Sequence, residues 1–131
     1  MAGYSGTPLI KKLGIKDGHR IQTVHAPAHY SNLLGELPVG VVEVTTNSDF
    51  IHAFYIERTD FERDLENLIA AIKRDGMIWI SWPKKASKVP TSMTEDVVRE
   101  VALPIGLVDI KVCAVDEVWS GLKLVIRKEL R

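Results

Sequence analysis

Cysteine is almost absent from this sequence, since Cys113 is the only one among 131 residues. A single cysteine cannot form an internal disulfide, so nothing points to secretion, and we expect a cytoplasmic protein. An excess of charge is missing as well, because 17 Lys and Arg residues balance 17 Asp and Glu residues. A neutral domain lacks the basic surface that coats nucleic acid, so no nucleic-acid partner is expected.

Long apolar runs are also missing. The longest stretch without Asp, Glu, Lys or Arg covers residues 21–35, and it contains His25, Pro27 and His29. Such a stretch cannot span a bilayer, and residues 1–14 lack the apolar segment of a signal peptide, so no membrane role is expected. The composition, 46% hydrophobic and 26% charged, is typical of one globular domain. We predict a single domain over residues 1–131, with residues 1–16 as an N-terminal arm and short helix.

What the sequence does contain is an alternation of strand and helix patterns. The predicted helices lie within residues 7–14, 26–35, 59–76 and 92–104, the last two beginning at capping boxes in residues 59–62 and 92–95. The predicted strands are residues 20–24, 41–44, 50–56, 77–82, 108–116 and 122–128, with the last two joined by a hairpin at residues 117–121. This order predicts an α/β fold, a single three-layer domain with helices on both faces of a mostly parallel sheet and a C-terminal antiparallel hairpin.

The second strand presents a topological difficulty. Residues 45–49 reach only about 17 Å when fully extended, too little to return along the length of a parallel strand. We therefore predict residues 41–44 to be a short or an antiparallel edge strand.

Three tracts resemble the later half of a class I methyltransferase domain: KLGIKDGHRIQTV, DFIHAFYIERTDFERDLENLIAAIKRDGMIWIS and GLKLVIRK. The resemblance implies a Rossmann-like domain with strand order 2-1-3-4-6-5, numbered along the chain, in which the last strand is antiparallel and inserted. Four other tracts, GYSGTPLIKKLGI, SWPKKASK, TEDVVREVAL and VDIKVCAVDEVWSGLKLVIRK, resemble a family of short bacterial proteins of unknown function. That second likeness implies no substrate, cofactor or catalytic residue.

Glycine is absent from the turn after the first predicted strand. A methyltransferase needs a glycine-rich turn there, because only glycine lets the backbone approach the cofactor. Residues 25–30 contain no glycine, and Pro27 removes an amide that a ligand could use. We therefore expect no S-adenosylmethionine, although Glu43 lies near the position of a ribose-binding acid. No metal is expected either, because a change from strand to helix separates His25 from His29.

A basic tract follows the fourth predicted strand and gives the only candidate site. Residues 81–88 leave the carboxyl end of a predicted central strand, the edge at which open α/β sheets bind ligands. We predict that Lys84, Lys85 and Ser87 bind a small anion there and that Trp82 lines the cleft. The alternative is a solvated basic loop. A site would be supported if residues distant in sequence lay beside this tract in the folded chain. Those residues are Trp119 and, from a small polar cluster in residues 3–7, Ser5 and Thr7.

Three classes of function stay open. The first is a non-catalytic binding module for a small anionic ligand or a protein partner at the carboxyl edge of the sheet. The second is a small enzyme of methyltransferase-like fold without the usual cofactor motif, in which Asp116 and the histidines approach that edge. The third is a structural or oligomerising subunit, which an even surface without a cleft at Trp82 would favour. No catalytic residue is assigned, because Asp116 lacks an identifiable partner and Cys113 is expected to be a small buried side chain.

Overall fold

A computed structural model describes residues 7–131 of the chain. The helices are α1 (Leu9–Leu13), α2 (Tyr30–Leu34), α3 (Arg58–Ala71) and α4 (Glu95–Ala102). The strands are β1 (Arg20–Val24), β2 (Val42–Glu43), β3 (Ser48–Phe54), β4 (Ile72–Pro83), β5 (Leu107–Ala114) and β6 (Trp119–Ile126). Short 3₁₀ turns cover Lys85–Ser87, Leu103–Ile105 and Lys128–Leu130. No helix in this part of the chain is long and apolar enough to cross a membrane.

The strands form one six-stranded sheet in the order β2-β1-β3-β4-β6-β5. Strands β1 to β4 are parallel to one another, and β6 lies antiparallel between β4 and β5. The predicted fold class, strand order and inserted antiparallel strand are therefore confirmed.

Each face of the sheet has its own apolar core, because successive side chains of a strand point to opposite faces. The larger core joins α3 and α4 to the sheet through residues such as Phe61, Leu65 and Val98. The smaller core lies under α1 and α2 and includes Leu13 and Trp79. The indole N–H of Trp79 donates to the carbonyl of Leu13 over 2.9 Å, which fixes the end of α1 to the sheet. Helices therefore cover both faces, as predicted.

The predicted boundaries of α3 are wrong at both ends. The helix begins at Arg58 after Glu57, without a side-chain cap, so the capping box in residues 59–62 is not used. It ends at Ala71, because Ile72 is extended and pairs with Ser48 of β3. Gly76, the predicted helix stop, lies inside β4, where an added Cβ would come within 2.8 Å of Ile72 and 3.0 Å of a backbone oxygen. Glycine is required there by close packing rather than by the end of a helix.

The start of α4 was predicted two residues too early. The hydroxyl of Thr94 accepts the amide N–H of Val97 at 3.1 Å, so Thr94 is the cap. Ser92 instead accepts the amide N–H of Arg58 at 2.7 Å, where α3 begins. One serine thus satisfies an unpaired donor of a different helix, which local sequence patterns cannot reveal.

Strand β2 resolves the topological difficulty. It contains two residues and runs parallel to β1, with Val42 opposite Arg20. A short strand is thus confirmed and the antiparallel alternative is wrong. Because β2 ends beside Ile21, and β3 pairs with the same residue through Phe50, the connection does not have to return along a full strand.

Candidate functional site

The candidate site lies where the parallel strands end, which we call the carboxyl edge. It consists of the residues that follow β1, β3 and β4 together with the turn between β5 and β6, residues 115–118, which we call the hairpin. The strand order reverses between β1 and β3, since β1 continues towards β2 on one side and β3 continues towards β4 on the other. Ligands of open α/β sheets bind in the crevice at such a reversal.

The side chain of His25 bridges this crevice. His25 follows β1 and has a φ of 56°, in the left-handed region that glycine adopts without strain. Its ring meets the ring of Tyr55 edge-on at 5.6 Å, and its Nε2 atom lies 3.5 Å from the carboxylate of Asp64 in α3. The Tyr55 hydroxyl donates to the same carboxylate over 3.0 Å.

These contacts determine which side chains in the crevice are charged. Partial burial raises the pKa of Asp64, but hydrogen bonds from Tyr55 and Arg63 outweigh it and leave the pKa below its usual value. Burial also raises the pKa of Tyr55, and its bond to the carboxylate adds to that shift. The crevice therefore contains a neutral phenol and an ionised carboxylate that are bonded to each other.

The other end of the loop after β1 is also tied down. His29 Nε2 lies 2.8 Å from Oδ2 of Asp116, and the backbone amides of Val118 and Trp119 donate to Oδ1 at 2.8 and 2.7 Å. Burial raises the pKa of Asp116, but the bonds from His29 and the two amides outweigh it, so the pKa is lowered. The partner of Asp116 that sequence reasoning could not identify is therefore His29.

A buried polar network lies beneath this loop. His52 is completely buried in β3, with Nδ1 at 2.8 Å from the Tyr30 hydroxyl and Nε2 at 2.7 Å from the Ser81 hydroxyl. Burial lowers the pKa of His52 to about 3, so the ring is neutral near pH 7. Ser81 is also fully buried, so this arrangement of hydroxyl and imidazole offers no surface to a substrate.

Sequence reasoning missed the network because its three members come from separate elements. The one available signal was His52 itself, a titratable residue within an apolar strand that is predicted to be buried on both faces. A histidine at such a position requires partners for its ring nitrogens.

Two cavities adjoin the carboxyl edge on the α1 and α2 face. One of about 210 Å³ lies between β1, α2 and β2, and Thr23, Ser31 and Glu43 contribute its polar groups. The other, of about 410 Å³, lies between α1, α2 and the end of β5, and Thr7 and Val115 belong to its lining. None of the four predicted ligand-binding residues lines either cavity.

The predicted ligand-binding residues occupy two environments. Trp82 is 6% exposed and packs in the larger core, so it does not line a cleft. Lys84 and Lys85 begin the loop of residues 84–88, which we call the basic loop. The backbone amide of Lys84 donates to the carbonyl of Val118 over 2.8 Å, which fixes the basic loop to the hairpin. Ser87 donates its hydroxyl to the carbonyl of Lys84 at 2.6 Å, so it stabilises the loop rather than facing solvent as a free donor.

The predicted convergence of distant residues on the basic loop is observed only in part. Trp119 meets Phe54 edge-on at 5.1 Å, and it pairs with Pro83, the residue before Lys84. Thr7 lies by the other side of the hairpin, in the cavity that Val115 also lines. Ser5 lies outside the described residues, as does most of the polar cluster in residues 3–7.

Two further candidates can be placed. Cys113 is half-buried, and burial raises the pKa of its thiol, which disfavours the reactive thiolate. Among residues 7–131, no three side chains of His, Cys, Asp or Glu come close enough together to hold a metal ion.

No protein-family model matches the chain, and no curated protein matches it in sequence. Solved structures do match: an S-adenosylmethionine-dependent methyltransferase from Aquifex aeolicus aligns with a TM-score of 0.66 at 17% identity, over 91% of this chain and 88% of that one. The chain has the class I methyltransferase fold. Fibrillarin from Aeropyrum pernix, with natively bound S-adenosylmethionine, aligns at 0.58 and 12% identity over 94% and 70% of the two chains. Magnesium protoporphyrin IX methyltransferase from Synechocystis aligns at 0.59 and 9% identity over 91% and 74%.

Similarity at this level of identity concerns the fold alone, so the cofactor has to be tested against the residues present. The methyltransferase fold places its glycine-rich turn at the loop that follows β1. Here that loop carries Pro27 and is tied at both ends, by His25 to Asp64 and by His29 to Asp116. The cavity beside it, about 210 Å³, is smaller than the roughly 300–1,000 Å³ of typical small-molecule pockets. These residues do not fit S-adenosylmethionine in the usual mode.

Proposed function

We propose that this chain is a non-catalytic binding module that holds a small anionic ligand on the lysines of the basic loop at the carboxyl edge. The observation that carries the proposal is the bond from the Lys84 amide to the Val118 carbonyl. It holds the first lysine of the basic loop against the hairpin at the edge where this fold binds ligands.

The charges of the basic loop support an anion. Among residues 7–131, no carboxylate lies within ion-pair distance of Lys84, Lys85 or Lys88. The start of α4 cannot complete the site, because Glu95 and Asp96 already place two carboxylates in its first turn. The hairpin adds no donor either, because it carries the acidic residues Asp116 and Glu117. The anion is therefore expected to bind the lysine ammonium groups of the basic loop itself.

The state of the other polar groups supports binding rather than catalysis. The carboxylates of Asp64 and Asp116 each accept several hydrogen bonds, and His52 is enclosed between two hydroxyl groups. Groups that are bonded in this way are poor nucleophiles and bases, whereas the lysines of the basic loop have their charge available.

The test is a phosphate titration at fixed ionic strength, followed by thermal unfolding and by the backbone amide NMR signals of residues 84–88. The parent is compared with a Lys84→Ala, Lys85→Ala double variant and with Lys128→Ala, which removes an exposed lysine from the C-terminal turn. At one hundred times the dissociation constant, bound phosphate would stabilise the parent by about 2.7 kcal/mol. We expect saturable shifts in residues 84–88 in the parent and in Lys128→Ala, and their loss in the double variant. Equal responses in all three proteins would refute the proposal.

A small enzyme is the second candidate, and the pair of His29 and Asp116 favours it. A carboxylate that fixes one nitrogen of an imidazole leaves the other nitrogen to accept a proton, as in a general base with an orienting acid. Hydrolysis of a panel of small esters would support this candidate if it were lost in His29→Gln and kept in the Lys84→Ala, Lys85→Ala variant.

A structural or oligomerising subunit is the third candidate, and the buried position of Trp82 favours it. The edge strand β5 also exposes Ile110 and Val112, at 51% and 43%. Sedimentation equilibrium would support this candidate if the chain formed a stable oligomer that Ile110→Lys dissociates.

A further inference from the structure

A second group of lysines lies away from the carboxyl edge, on the sheet face that α1 covers. Lys111 of β5 and Lys123 of β6 are opposite each other in the antiparallel register. The Cβ atoms of such cross-strand pairs are about 4.5–5.5 Å apart, and like charges in these positions destabilise a sheet. A negative charge close to both ammonium groups would therefore relieve this repulsion.

The nearest acid on β5 does not provide that charge. Asp109 lies two residues before Lys111 and would share its face in a regular strand. The register shifts between these residues, so that Asp109 pairs with Leu124 and Lys111 pairs with Lys123. Asp109 therefore turns to the opposite face, where its carboxylate lies 2.9 Å from Arg99 of α4. The bulge at Ile110 separates the lysine pair from the only carboxylate in its own strand.

Other positive charges adjoin the pair. Lys123 is half-buried, and its pKa is lowered first by burial and then by the charges of Lys111 and Lys16. The charges of Lys111 and Lys12 also act on the thiol of Cys113 on the same face. Among residues 7–131, Lys16, Lys111 and Lys123 have no carboxylate within ion-pair distance. We call these three residues the basic face.

We propose that the basic face is a second anion site, which binds a multivalent oxyanion of the phosphate class between Lys16, Lys111 and Lys123. An oxyanion with two or more charges contacts several ammonium groups at once, and its attraction to each of them offsets their mutual repulsion. A monovalent anion neutralises only one of them. The site lies on a face of the sheet, whereas the basic loop lies at its carboxyl edge, so the two proposals stand independently.

The test is a titration with inorganic phosphate and with pyrophosphate at fixed ionic strength, followed by the amide NMR signals of Lys111, Lys123 and Lys16. The same spectra report on the basic loop through residues 84–88, so each site is assessed separately. We expect saturable shifts at the basic face in the parent and in the Lys84→Ala, Lys85→Ala variant. Pyrophosphate is expected to bind more tightly than phosphate, and chloride at the same ionic strength to cause no saturable shift.

Two variants make the proposal falsifiable. In Lys111→Gln, an exposed position on an edge strand, we expect phosphate to bind about tenfold more weakly, which corresponds to about 1.4 kcal/mol. In Lys111→Gln, Lys123→Gln we expect the shifts to vanish and the melting temperature without phosphate to equal or exceed that of the parent, because the repulsion is gone. Unchanged affinity in Lys111→Gln, or no saturable shift at the basic face of the parent, would overturn the proposal.

Discussion

Acidification is expected to destabilise the folded chain through His52 before the carboxylates are protonated. In the folded state His52 is fully buried between the hydroxyls of Tyr30 and Ser81, and burial lowers its pKa to about 3. In the unfolded chain its pKa is about 6.5. Below that pH the unfolded chain binds a proton that the folded chain does not, so stability is complete above pH 6.5 and falls as the pH decreases towards 3.

The size of the loss follows from this difference in pKa. Each pH unit between the two values costs about 1.4 kcal/mol, so His52 alone is expected to remove about 2.7 kcal/mol between pH 6.5 and pH 4.5. The carboxylates act later. Hydrogen bonds and nearby cations lower the pKa values of Asp49, Asp64, Asp109 and Asp116, so their stabilisation is lost only as the pH falls below about 4. Between pH 6.5 and pH 4.5, the change in the free energy of unfolding is therefore expected to come from protonation of histidine.

The assay is urea unfolding at pH 7.0, 6.0, 5.0 and 4.5 for the parent and for His52→Gln, which has no titratable group at this position. The variant is expected to be less stable at pH 7, because at least one buried hydroxyl loses its partner, at a cost of about 1–3 kcal/mol. Its stability should nevertheless change much less with pH. Taking the difference between the two proteins cancels the contribution of the other histidines. Equal pH slopes in parent and variant would show that the ring of His52 is not kept neutral by burial.

Two further predictions concern the core and the cofactor. Leu65→Ala removes a side chain that is 1% exposed between α3 and the sheet, so urea unfolding should show a loss of about 2–5 kcal/mol; a loss well below 1 kcal/mol would contradict the packing of α3 on the sheet. Calorimetric titration with S-adenosylmethionine should give no detectable heat, because His25 and His29 tie down the loop that a cofactor would need; a dissociation constant in the micromolar range would disprove this.

The fold was predictable from the sequence because its signals are local and repeated. Apolar residues of the 3.6-residue period marked α3, and β-branched runs marked β1 and β3. The ends of the elements were less predictable, since tertiary contacts decide them. Ile72 fits the helical stripe of α3, yet pairing with Ser48 draws it into β4. Ser92 reads as the cap of α4, yet its hydroxyl accepts the amide N–H of Arg58 at the start of α3, 34 residues away in sequence.

The candidate site was predictable only in its location. The edge at which the basic loop lies followed from the order of the elements, and the structure attaches Lys84 to the hairpin at that edge. The approach of Asp116 and the histidines to that edge was predicted, but the pairing of His29 with Asp116 was not, because 87 residues separate them and nothing in either local pattern specifies the other. Trp82 is buried in the larger core, which the local sequence pattern alone does not reveal.

The inserted position of β6 has a consequence for the order in which the chain can fold during synthesis. Strand β5 pairs with β6 alone, and β6 connects it to β4. Until Trp119–Ile126 has left the ribosome, β5 therefore has no neighbour in the sheet and β4 presents an open edge. A nascent chain that ends before Trp119 should therefore leave β5 unprotected from proteolysis. Pulse proteolysis of stalled nascent chains would locate the onset of protection of β5 after the emergence of Ile126.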